Sequence, residues 1–208
     1  ATINQNLVIK EGNTLTTMSA MKNIVAKAEV SESFEREVAI YDLNEFLASL
    51  SLFKSPVLEF DESFVTIKEE NTTTSLKYFY SDPSVVTTPS KTIKMPSKEV
   101  TFSLKGEDLT KLKRAAGVIG APDLVLERKD TGSFLTVKDK KNDTANTFSL
   151  DVTTTSEGNF NCFFTVENLK VMDGNYDVEI SSKNISHLSS SNKDVEYWVA
   201  LEPESTYE

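Results

Sequence analysis

Several things that chemistry needs are scarce in this sequence. Cysteine occurs once, at Cys162, so no internal disulfide can form, and a reducing compartment suits the chain. Histidine also occurs once, at His187, so a His-based triad or a multi-histidine metal site has no second member. The seven glycines are scattered and build no phosphate-cradling loop. No apolar run is long enough to cross a membrane as a helix. Basic residues number 22 against 32 acidic ones, and the net charge of −10 argues against a protein coated in nucleic acid. It leaves room for a local basic surface.

What is present is a unit written twice. The first copy runs from Tyr41 to Lys68: Asp42-Leu43, a helical stretch to Leu52, Pro56, then Ser63-Phe64-Val65-Thr66-Ile67-Lys68. The second runs from Gly106 to Lys138: Asp108-Leu109, a helical stretch to Val118, Pro122, then Ser133-Phe134-Leu135-Thr136-Val137-Lys138. Asp42 to Pro56 and Asp108 to Pro122 are both steps of 14 residues, which marks a tandem duplication. In each copy the aspartate stands where a helix begins and can cap free backbone N–H groups. Leu43, Phe46, Leu47 and Leu50 share one helical face, as do Leu109, Leu112 and Ala116. The prolines forbid further helix, and period-2 alternation after them reads as β-hairpins.

Around these copies the chain reads as strands at Leu7 to Ile9, Leu15 to Met18 and Ile24 to Val30, with a turn at Glu11-Gly12-Asn13. Ser81 to Ser97 holds three of the six prolines and reads as an extended connector. Residues 159–200 look like a degenerate repeat, with a strand from Phe160, a short helix near Val166 to Met172, and strands at Tyr176 to Ile180 and Val195 to Ala200. His187, in the polar stretch Ser186 to Asn192, reads as a surface-loop histidine. Cys162 alternates with Phe160 and Phe164 and reads as a buried structural thiol. Acidic pairs such as Glu69-Glu70 and Glu107-Asp108 read as solvated carboxylates rather than a Mg²⁺ site. The fold class is α+β: domain 1 over residues 1–80, a connector over 81–97, and domain 2 over 98–208, each built of β-α-β-β-β units. No catalytic residue, metal or cofactor is expected.

Segments spread along the chain sharpen this pattern. Ala1-Thr2-Ile3-Asn4, Val38-Ala39-Ile40-Tyr41-Asp42-Leu43-Asn44, Leu50-Ser51-Leu52, Asp82-Pro83-Ser84, Gly174-Asn175-Tyr176, Val199-Ala200-Leu201-Glu202 and Ser205-Thr206 resemble, in order, the DNA polymerase sliding clamps of T4-like bacteriophages. No one segment is a fingerprint; the collinearity is specific. The family has a helix before its first strands, and this sequence begins where that helix would end.

The resemblance implies the DNA clamp fold and a head-to-tail homotrimeric ring, with helices inside and sheets outside. It implies a non-enzymatic processivity factor that encircles duplex DNA without reading sequence. The implied partners are the C-terminal peptide of a replicative polymerase, an ATP-dependent clamp loader and the viral late-transcription machinery, in the cytoplasm of the infected host cell and with no membrane. It makes Lys111 and Arg114, opposite the apolar stripe of the second helix, candidates to face DNA, with Lys113 on the flank and Lys105 and Lys170 as further candidates. A merely solvated helix face is the plain alternative. It also points to a partner-peptide pocket at Val85, Val86, Ala200, Leu201 and Pro203; the alternative is that these side chains pack the connector onto its own domain. A β-rich, non-enzymatic virion or adhesion protein is the competing class.

Overall fold

The computed structural model describes residues 1–89, 92–156 and 158–207. Ser90 and Lys91, inside the expected connector, lie outside them. The chain forms two compact units, one of Ala1–Ala20 with Lys27–Ser90, the other of Met21–Ala26 with Lys91–Glu208.

In the first unit, β1 (Leu7–Ile9), β2 (Gly12–Met18), β3 (Ile24–Phe34, whose first three residues belong to the second unit) and β4 (Val38–Ile40) lie in the sheet order β4-β1-β2-β3. Helix α1 (Leu43–Leu50) follows, then the meander β5 (Pro56–Phe60), β6 (Phe64–Glu69) and β7 (Ser75–Phe79). Strand alternation divides the apolar residues between two faces. Ile9, Val38 and Ile40 pack with Phe46 of α1 and with Val65 and Ile67 of β6. Val8 and Ala39, on the opposite face, pack against Val86.

Asp42 caps α1, its carboxylate accepting from the Glu45 N–H at 2.9 Å. Leu47 departs from the expected apolar face and is 48 % exposed. It follows Phe46 by one residue, about 100° round the helix, which carries it off the buried stripe.

The second unit begins its repeat with β8 (Val100–Leu104), α2 (Gly106–Ile119) and the meander β9 (Asp123–Lys129), β10 (Gly132–Lys138) and β11 (Phe148–Val152). Then come β12 (Phe160–Thr165), β13 (Tyr176–Ser181), β14 (Ile185–Ser190), β15 (Val195–Ala200) and the short β16 (Thr206–Tyr207). Within this unit the sheet orders are β15-β14-β13-β8 and β11-β10-β9-β12-β16. Leu109 and Leu112 of α2 meet Leu124, Val137, Val166 and Leu169. Residues 21–26 add to this unit, with the Ala200 N–H donating to Asn23 O at 2.9 Å.

Three expectations are corrected. Asp108 is not the cap of α2; Lys105 stands there without a side-chain bond, and Asp108 lies in the first turn. The Gly106 N–H instead donates to Asn175 Oδ1 at 2.8 Å, so a distant side chain does the capping. Val166 to Met172 is not an α-helix; only Val166–Asn168 forms a 3₁₀ turn. His187 is not in a loop. It sits in mid-β14, stacked on Trp198 with ring centroids 4.9 Å apart, its Nε2 2.8 Å from Glu196 Oε2 and its Nδ1 3.4 Å from Glu179 Oε2. The serines around it are compatible with a strand because the buried Ser186 hydroxyl donates to Val199 O at 2.9 Å.

Candidate nucleic-acid interface

Helix α2 carries the main candidates. Leu109, Leu112 and Ala116 are buried, so the residues on the opposite side must face solvent. Lys111 and Arg114 do so. Lys111 Nζ is 3.6 Å from Asp108 Oδ1 one turn earlier, an exposed pair that water and salt weaken. Among the described residues Arg114, Lys105 and Lys170 form no ion pair. Arg114 and Lys170 are therefore available to a phosphate, whereas Lys105 lines a groove with Asp108, Asp151, Asp177 and Glu179.

Lys113 is different. It is half-buried, and its ammonium donates to Val171 O at 2.9 Å. Burial lowers its pKa, and the nearby Asp173 partly offsets this. The structure thus ties Lys113 to its own fold and leaves Lys111 and Arg114 on the open face.

Gly106, the first residue of α2, shows how the helix is set. A Cβ there would lie 3.0 Å from the carbonyl carbon and oxygen of Gly174, so the helix start and the Asp173–Asn175 turn approach as only glycine permits. At the other end Gly120, at φ 67°, closes the helix in the left-handed conformation. Helix α1 offers no basic residue; its exposed positions include Asn44, Glu45, Leu47 and Ala48.

The pocket candidates are placed as follows. Val85 ends a 3₁₀ turn, Pro83–Val85, capped by the Asp82 side chain, and is 58 % exposed. Val86 is 7 % exposed, against Val8 and Ala39. In the second unit Ala200 ends β15 half-buried, Leu201 is 6 % exposed with its N–H on Asn184 O, and Pro203 is exposed. Val86 and Leu201 are thus core-facing, and Val85 and Pro203 are the accessible ones. The composition gave no sign of the anchor that holds the tail beyond them. Lys140 Nζ reaches Glu204 at 2.5 Å, Asp123 at 3.6 Å and Glu202 at 3.8 Å.

Comparison with known proteins bears on the whole chain. The family described as gp45 sliding clamp, C terminal, matches residues 101–203. The sliding clamp of Vibrio phage KVP40 is 31 % identical over 208 residues, covering 97 % of this chain and 93 % of that one. The chain belongs to the sliding-clamp family. The clamp of Enterobacteria phage T4 is 29 % identical, over 100 % of this chain and 93 % of its own length. Solved clamps share the fold. A. fulgidus PCNA with the C-terminal region of FEN-1 bound superimposes with a TM-score of 0.70 at 15 % identity, covering 99 % of this chain and 92 % of that one. PCNA from Entamoeba histolytica gives 0.65 at 13 % identity, covering 95 % and 89 %. A virion or adhesion protein is not favoured, since the matches are to clamps.

Proposed function

We propose that this clamp closes head-to-tail into a homotrimeric ring around duplex DNA and tethers the replicative polymerase for processive synthesis. Topological linkage holds the DNA without gripping bases, and tethering raises the polymerase's effective concentration at the primer end. The observation that carries this is the exposed Lys111/Arg114 face of α2 on a chain of net charge −10. Lys111, weakly paired with Asp108, and Arg114, unpaired among the described residues, favour phosphate at this face, while the acidic remainder of the chain repels it. Lys105 and Lys170 extend the same surface.

Edge strands support the closure. Strand β11 is an edge of its sheet, and β7 and β5 are the edges of theirs. β5 begins with Pro56, which lacks an N–H and blunts that edge. β7 has no proline and presents Lys77 and Phe79, whereas β11 presents Ser149 and Asp151. Pairing β7 of one protomer with β11 of the next is heterologous, and three such interfaces close a ring of six similar domains.

The remaining partners follow from the same reading. A short apolar tail of the polymerase docks at the exposed Val85, an ATP-dependent loader opens the ring, and late transcription uses the same clamp in the cytoplasm of the infected host cell. The clamp itself performs no catalysis.

Charge reversal tests the DNA face. Lys111→Glu with Arg114→Glu lowers duplex binding equally on any sequence. It also reduces the slope of log affinity against log salt by about 0.9 for each phosphate that is no longer neutralised. Unchanged binding and slope in the folded double variant contradict the assignment.

A further inference from the structure

The segment from Val166 to Asn175 has almost no regular structure, yet it is fixed at several points. Gly174 lies against Gly106, and the Asn175 side chain accepts from the Gly106 N–H at 2.8 Å. The Met172 N–H donates to Tyr197 Oη at 3.2 Å, and Met172 O accepts from Tyr176 Oη at 2.7 Å. Val171 O accepts from Lys113 Nζ at 2.9 Å. Leu169 and Val171 are buried, and Lys170 between them is exposed.

These bonds give the segment a direction along the helix. Gly106 to Lys113 is about 10 Å of helix. The contacts of Gly106 with Gly174 and Asn175, and of Lys113 with Val171, therefore order the segment antiparallel to α2. Arg114 follows Lys113, and the next residue back along the segment, the exposed Lys170, precedes the carbonyl that Lys113 holds. Because its neighbours on both sides point into the core, its own side chain points outward.

We propose that Lys113 is a positioning residue: it fastens segment 166–175 along α2 and so sets Lys170 beside Arg114 in one basic stripe that meets DNA phosphates. This rests on the DNA-binding reading above. Lys113 spends its ammonium on a backbone carbonyl and touches no phosphate. The carbonyl it satisfies belongs to a segment that lacks the hydrogen-bond ladder of a helix, so the strut replaces what regular structure would supply.

The test uses Lys113→Met, Lys170→Met, their double variant and Arg114→Met in the full chain, each titrated with a short linear duplex over a range of salt. Hydrogen exchange at residues 169–172 is followed in parallel. Arg114→Met reports on the DNA reading by itself. With that variant weakened, the proposal requires Lys113→Met to cost as much affinity and salt slope as Lys170→Met, about 0.9 in slope. The double variant must lose no more than either single one. Exchange at residues 169–172 must speed up in Lys113→Met and stay unchanged in Lys170→Met. Additive losses make Lys113 a direct phosphate ligand and overturn the proposal. So does an unaltered Lys113→Met, an unaltered Lys170→Met, or unchanged exchange at residues 169–172 in Lys113→Met. If Arg114→Met is itself without effect, the DNA-facing assignment of α2 fails, and exchange alone then decides whether Lys113 is a strut.

Discussion

Glu127 is a buried acid on the side of β9 away from α2. Burial by itself raises its pKa, but Lys129 at 2.7 Å, Lys138 at 3.8 Å and the donating Thr136 hydroxyl at 3.0 Å outweigh that and hold it below 4.5. A folded-state value lower than the unfolded one means that this contribution to stability is present above pH 4.5 and is lost as pH falls through the folded value. Glu127→Gln is therefore less stable than the parent near neutral pH, and the two converge in acid. Urea unfolding across pH measures this, and parallel curves at all pH values contradict it. Cys162 is the opposite case: burial pushes its thiol up to about 12. Native protein resists iodoacetamide at neutral pH and reacts once unfolded; rapid native labelling contradicts the burial argument.

Among the elements, the two helices of the repeat differ where the sequence makes them look alike. Asp42→Ala removes a side-chain cap and costs about 1 kcal/mol. Asp108→Ala removes only a first-turn charge and a weak pair with Lys111, for about 0.5 kcal/mol. Denaturant midpoints separate the two, and a larger loss for Asp108→Ala contradicts the capping assignment. The sequence shows the strand–helix–meander pattern because hydrophobic period and turn residues are local signals, and β4-α1-β5-β6-β7 and β8-α2-β9-β10-β11 both follow it. It does not show the cap of α2, which depends on Asn175 about seventy residues away. Strand β14 is hidden by its serines, of which Ser186 is buried through its bond to Val199 of β15. The attachment of residues 21–26 to the second unit is likewise a tertiary fact. At the candidate site, helical spacing separates Lys111 and Arg114 from the core, but nothing local distinguishes Lys113, whose partner lies on another segment.

For the whole molecule, function depends on closure and on threading. Phe79 is 66 % exposed on β7. Phe79→Asp shifts native mass from trimer toward monomer, and it costs the single chain about 1 kcal/mol because Phe79 also packs on Phe64, with ring centroids 5.5 Å apart. A parent that is a stable two-fold dimer contradicts head-to-tail assembly. Retention on DNA measures threading. Clamp loaded onto a nicked circular plasmid is compared with clamp on the same plasmid after linearisation by one cut. An encircling ring stays on the circle through a salt wash and slides off the free ends of the linear form. Equal retention on both forms contradicts encirclement.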